Sequence, residues 1–141
     1  MLRVLVVMPT VFWQSKANVS GAQPVLNAYQ SRLSNVIVEN VVGTVGSLLP
    51  DDLEGSRHQR FIMRMESGHT LLVVHNIDLA PRVNGLKVGD RITVKGEYEW
   101  NERGGLIHWT HRDPHSAHED GWIEQASVRY LPVASLSRES R

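Results

Sequence analysis

The sequence predicts a mainly β domain, a small five-stranded barrel, on three observations. β-Branched residues dominate from Asn35 onward, apolar and polar side chains alternate strictly through residues 91–100, and turn residues divide the runs at hairpin spacing.

Before that region the chain reads as a leader, residues 1–34. Arg3 precedes an apolar run from Val4 to Trp13, and Ser20-Gly21-Ala22 supplies small residues beyond it. One positive charge, an apolar stretch and a small-x-small exit match a secretory signal; Pro9 inside the run argues for a buried first strand instead. Both readings stand. The first implies an exported or periplasmic protein, the second a cytoplasmic one. The run falls short of the roughly 20 residues that cross a bilayer, so no membrane span is expected. Pro24 to Leu33 predicts a short helix with Pro24 at its first position and Val25, Leu26, Tyr29 and Leu33 near one face.

The first predicted strand covers Val36 to Val45, with Gly43 and Gly46 as bend points and Pro50 to Ser56 as a polar loop. His58 to Met65 follows, with Phe61, Met63 and Met65 on one face and Arg60 and Arg64 on the other. Ser67-Gly68 turns the chain into Thr70 to Asn76, completing a hairpin. Residues 77–85 form an irregular or short helical crossing. Leu86 to Trp100 is the clearest strand: Ile92, Val94, Gly96, Tyr98 and Trp100 make an apolar face, and Arg91, Thr93, Lys95, Glu97 and Glu99 a charged one. Asn101 to Gly105 turns it back into a last strand, Leu106 to His111. Long strand, hairpin, crossing segment, hairpin is the layout of the five-stranded OB barrel. The domain is expected over residues 35–130, with an irregular tail over 131–141.

Composition limits the functions. A chain of 141 residues fits one domain, since domains typically run to roughly 100–150 residues. Fifteen basic and fifteen acidic residues balance, so no global field draws the protein to a polyanion. Without cysteine, disulfides and thiolate chemistry are excluded.

The residues with chemistry gather between Glu97 and Trp122. His108, His111, His115 and His118 invite a divalent metal, with Asp113 as a further candidate ligand. On one continuous strand His108 and His111 would face opposite ways. Asp113-Pro114 reads as the start of a helical turn ending at Gly121, which would put His115 and His118 on one face. No His-Glu-x-x-His spacing is present, and solvated loop histidines account for the pattern at least as well. Tyr98 and Trp100 are expected in the core, leaving Trp109 as the aromatic available to a ligand. His58, Arg60, His75, Asn76, Glu97, Glu99, Asn101, His108, Trp109, His111 and Asp113 are the candidate binding residues, being polar or aromatic groups that a bare barrel does not need. No Gly-rich phosphate cradle and no nucleophile elbow appear.

Four stretches, His58-Gln59-Arg60-Phe61-Ile62, His75-Asn76-Ile77-Asp78-Leu79-Ala80-Pro81-Arg82, Gly96-Glu97-Tyr98-Glu99-Trp100-Asn101 and Gly104-Gly105-Leu106-Ile107-His108-Trp109-Thr110-His111-Arg112-Asp113-Pro114, carry a family resemblance. Over roughly residues 41–123 the chain resembles a bacterial and phage family of domains of unknown function. The resemblance implies a β domain, sometimes behind an export signal, and a tyrosine after Gly121-Trp122-Ile123 that Tyr130 matches; it implies no activity, cofactor or partner.

Three functions compete. The first is an OB-like binding module for single-stranded nucleic acid, a glycan or another oligomeric ligand. The second is a metal-assisted hydrolase or nuclease using His108, His111 and Asp113 with Glu97 or Glu99. The third is an accessory protein acting through protein contacts.

Overall fold

The computed structural model describes residues 19–126 and 128–130. The signal-or-strand question over the first eighteen residues and the tail from residue 131 lie outside them. The elements are α1 (Ala22–Gln30), β1 (Val36–Asp52), β2 (His58–Met65), β3 (Thr70–Asn76), β4 (Arg91–Glu99), β5 (Leu106–His108), β6 (Trp122–Gln125) and β7 (Val128–Tyr130).

Helix α1 starts two residues earlier than the sequence suggested, at Ala22 rather than Pro24, with Gly21 at the cap position. Pro24 is tolerated because it still lies in the first turn, where its missing N–H would have no intrahelical partner. Val25 and Ala28 are buried, whereas Leu33 falls beyond the helix and is exposed. The Gly21 N–H donates to the Asn40 carbonyl at 3.0 Å, tying the helix to β1.

Strand β1 does double duty. Its first part pairs with β4, from Val36↔Tyr98 to Thr44↔Arg91, and its second with β2, from Gly43↔Met65 to Asp52↔His58. It runs on through Pro50, where the sequence suggested a loop. Pro50 falls inside a register irregularity between Leu49 and Asp52, so its missing N–H costs no ladder bond. Its carbonyl instead receives the Arg60 guanidinium at 2.9 and 3.1 Å.

The pairings close a ring in the order β1-β2-β3-β5-β4 and back to β1, with β3 and β5 parallel and the other ring pairs antiparallel. The mainly β class is as expected. Two short strands lie beyond the five anticipated: β6 pairs with β4, and β7 with β6. Strict alternation fills the interior from β2, β3 and β4, with Phe61, Met63, Leu71, Val73, Ile92 and Val94 all buried. Tyr98 is fully buried as expected; its hydroxyl donates to the Gly104 carbonyl at 2.8 Å, and burial pushes its pKa up to about 12. Trp100 is half-buried, its indole N–H on the Tyr29 carbonyl at 3.1 Å. Strand β4 begins at Arg91 rather than Leu86, because Lys87 and Asp90 close a turn on each other.

The crossing from β3 to β4 is irregular and still contributes Ala80, Val83 and Leu86 to the interior. Gln59 anchors it: its side-chain amide donates to the Val83 carbonyl at 3.0 Å and accepts the Val83 N–H at 2.9 Å. Among the described residues, no helix is long and apolar enough to cross a membrane.

Candidate functional site

The end of β5 decides the geometry of the site. Instead of continuing to His111, the strand stops at His108, because Trp109 adopts a left-handed φ of 54°. A bulky side chain rarely takes this conformation, and its cost is of the order of 1–2 kcal/mol. The chain leaves the sheet there, so the parity that would set His108 and His111 apart no longer applies. A cleft of about 300 Å³ opens beside the break, walled by His58, Val74, Asn76, His108, Trp109 and His111.

Trp109 stacks on His118, with ring centroids 4.2 Å apart and planes within 11°, and tilts against His111 at 5.1 Å. His111 is buried, and its Nδ1 lies 2.8 Å from the Arg112 carbonyl. A carbonyl only accepts, so Nδ1 carries the proton and Nε2 is left as an acceptor. Burial holds this imidazole below its ordinary pKa, keeping it neutral at neutral pH.

The loop from residue 109 to residue 121 is organised by Asp113. One carboxylate oxygen accepts the His115 N–H at 2.9 Å; the other accepts those of Ala117 at 2.8 Å and His118 at 2.6 Å. These backbone donors, led by His115, hold the Asp113 carboxyl below its usual pKa. The expected helical turn is therefore a compact loop wrapped on a side chain, with both Asp113 carboxylate oxygens taken up by backbone N–H groups. His115 is exposed, while His118 is half-buried against Trp109, so the two do not share a face as a pair. Gly121 closes the loop with its N–H on the His111 carbonyl at 2.8 Å, and any side chain there would collide with the Trp109 carbonyl. Asp113→Ala is expected to open residues 109–121 to limited proteolysis and to lower the melting temperature. Cleavage no faster than in the parent would refute the role.

A second group lies on the outer face of β4 and β5. Glu97 and Glu99 project on the same side of β4, and the register sets His108 directly opposite Glu97. His108 Nε2 is 3.5 Å from Glu97 Oε2 and 3.5 Å from Glu99 Oε1. His118 Nε2 reaches Glu97 Oε2 at 3.1 Å, while its Nδ1 sits 2.7 Å from the Glu119 carbonyl. Because the carbonyl claims a proton on Nδ1, the contact with Glu97 needs a second proton on Nε2. Lys95, on the same face, turns its ammonium to Glu119 at 2.8 Å and leaves Glu97 and Glu99 to the imidazoles.

The remaining candidates divide by role. His58 lines the cleft. Asn76 lines it as well, with its side-chain oxygen accepting the N–H groups of Asp78 and Leu79. His75 is fully buried with both ring nitrogens engaged, Nδ1 to Thr110 Oγ1 at 2.8 Å and Nε2 to the Pro81 carbonyl at 2.9 Å. Asn101 holds the turn before β5, accepting from Arg103 and Gly105, and Arg60 is turned to Pro50. Sequence reasoning missed Thr110, an ordinary residue whose buried hydroxyl becomes visible only once the strand breaks at Trp109.

The ring of strands and the imidazole-lined cleft define a mainly β protein carrying a polar, aromatic surface site. The chain belongs to the DUF3465 family of proteins of unknown function, whose profile matches residues 6–131. A comparison with curated proteins gives no match.

Proposed function

We propose that the chain is an OB-like binding module that holds an oligomeric ligand, single-stranded nucleic acid in the first instance, in the cleft beside Trp109. The strand order of the ring, with β3 and β5 parallel, supports the OB reading. The carrying observation is Trp109, kept at the cleft by a strained backbone and flanked by His108, His111 and the Asn76 amide. An aromatic face next to edge-reading polar groups suits a stacked base. Backbone strain of this kind concentrates at ligand sites.

Phosphate contacts contribute little to this reading. Arg57 pairs with Asp78, Arg82 with Asp51 and Arg112 with Asp120, while Arg60 serves Pro50. Titration of a short fluorescent single-stranded oligonucleotide is therefore expected to give binding with a shallow salt dependence. The slope of log K against log salt should be shallower than about −2, the value for roughly three contacts on a single strand. No binding at low salt removes the nucleic-acid version, and binding of a neutral oligosaccharide by the same cleft would then replace it.

A hydrolase is the second reading, favoured by a separate observation: His108 stands between two carboxylates at the rim of the same cleft. Cut oligonucleotide accumulating with turnover would move the assignment there.

A further inference from the structure

We infer that Glu97, Glu99 and His108 form a binding site for one first-row divalent cation of the zinc class. This goes beyond the binding reading above and stands whether or not a nucleic acid occupies the cleft.

The donor geometry carries the inference. One donor atom from each of the three residues lies within 4.8 Å of the others, and two of the separations are 3.5 Å. A triangle of those dimensions has its centre no more than about 2.4 Å from each corner, close to the roughly 2.0–2.2 Å at which zinc takes imidazole nitrogen and carboxylate oxygen. The cation would need a contraction of a few tenths of an ångström at most, within reach of a glutamate side chain.

A second, independent observation concerns His108 itself. Its Nε2 is buried and has no hydrogen-bond partner among the described residues, although two carboxylate oxygens lie 3.5 Å away. That distance is too long for a hydrogen bond and suits two ligands on either side of an ion. Among the described residues, no lysine or arginine lies within ion-pair distance of Glu97 or Glu99, and Lys95 is turned to Glu119 and Glu39. Two partly buried carboxylates flank the His108 imidazole on one strand face, and the His118 imidazole on Glu97 balances at most one of them.

The position of the site fits an ion with open coordination. Its ligands come from the rigid registered pair β4–β5, and His108 also walls the cleft. Three protein ligands leave at least one coordination position for water or a ligand atom, the pattern of a reactive rather than a purely structural site. One nitrogen and two oxygen donors select Zn²⁺, Co²⁺ or Mn²⁺ over soft, thiolate-seeking ions. His118 approaches Glu97 from the loop at 3.1 Å and acts as the outer partner that orients this carboxylate.

The test uses the untagged full chain, stripped with chelator and titrated with Co²⁺ alone, read by calorimetry and by the visible ligand-field bands. One equivalent of Co²⁺ with a d–d spectrum is expected, displaced by one equivalent of Zn²⁺. His108→Ala and Glu97→Gln should each weaken binding more than roughly 100-fold, and His118→Ala roughly 10–100-fold. His115→Ala, at an exposed histidine that makes none of these contacts, should change nothing. Thermal melts of each variant separate lost ligation from lost folding. The inference is overturned if the folded parent takes up no stoichiometric Co²⁺, if uptake survives His108→Ala, or if His115→Ala weakens it equally. Oligonucleotide titration with and without chelator reports separately on the cleft.

Discussion

His75→Ala is expected to lower the free energy of unfolding at pH 7 by about 3–5 kcal/mol, a large share of the roughly 5–15 kcal/mol that a domain commonly has. The reason is where His75 sits: fully buried, it joins β3 to the loop after β5 through Thr110 and to the β3–β4 crossing through Pro81. The Pro81 carbonyl only accepts, so His75 Nε2 carries the proton and Nδ1 accepts from the Thr110 hydroxyl. Alanine leaves the buried Thr110 hydroxyl and the part-buried Pro81 carbonyl without that bond and opens a cavity.

The same burial strips the charged form of hydration and lowers the His75 pKa from 6.5 to about 4, with the nearby His111, His58 and Arg82 adding repulsion. The folded state thus refuses a proton that the unfolded chain accepts below about pH 6.5. Stability from this group is complete above that pH, falls as the pH drops toward 4, and levels off below, a loss of roughly 3 kcal/mol in all. His75→Gln keeps a donor for Pro81 and cannot ionise. It should cost less than alanine at pH 7 and flatten the acid limb of the stability profile. Urea unfolding between pH 4 and 7.5 measures both, and an unchanged acid limb in the glutamine variant would contradict the assignment.

These features differ in how far the sequence exposes them. Strands β2, β3 and β4 are legible because each buries one face only, and alternation is the direct consequence of a half-buried pleat. Tyr98 is legible as core for the same reason. Strand β6 is not: in Trp122–Gln125 the first two residues are both buried, so the alternation is lost in four residues. The continuation of β1 through Pro50 is hidden because proline reads as a breaker unless the local irregularity of the ladder is known.

The site shows the same division. His108, Trp109, His111, Glu97 and Glu99 stand out as polar or aromatic groups without a barrel's need for them. Their assembly, however, depends on the pairing of Glu97 with His108 and on the break at Trp109. Register is a property of two strands together, and nothing in a tryptophan announces a left-handed φ. Asp113 was visible as a cap for the segment it precedes, yet it caps a loop and not a helix. That loop brings His118 onto Trp109 and Glu97 across ten residues of sequence separation from His108.

Trp109→Gly separates what the indole does from what the backbone does. Glycine takes the observed φ of 54° without steric cost, so the strain of roughly 1–2 kcal/mol is relieved while the stacking on His118 is lost. Two opposing effects of similar size predict a change in stability within about 1 kcal/mol. Binding has no such compensation. If a base stacks on the indole, losing 1–3 kcal/mol per base weakens oligonucleotide affinity by roughly 5- to 150-fold. Trp109→Phe, which keeps a stacking face but not the favourable backbone, should do the reverse: a smaller affinity loss with no gain in stability. Fluorescence anisotropy for binding and thermal melts for stability read the two axes independently. If Trp109→Gly binds as tightly as the parent, the cleft does not use the indole. If it unfolds instead, the strained turn is held by packing on His118 and His111 and not kept for a ligand, which would remove the strain argument from the binding reading.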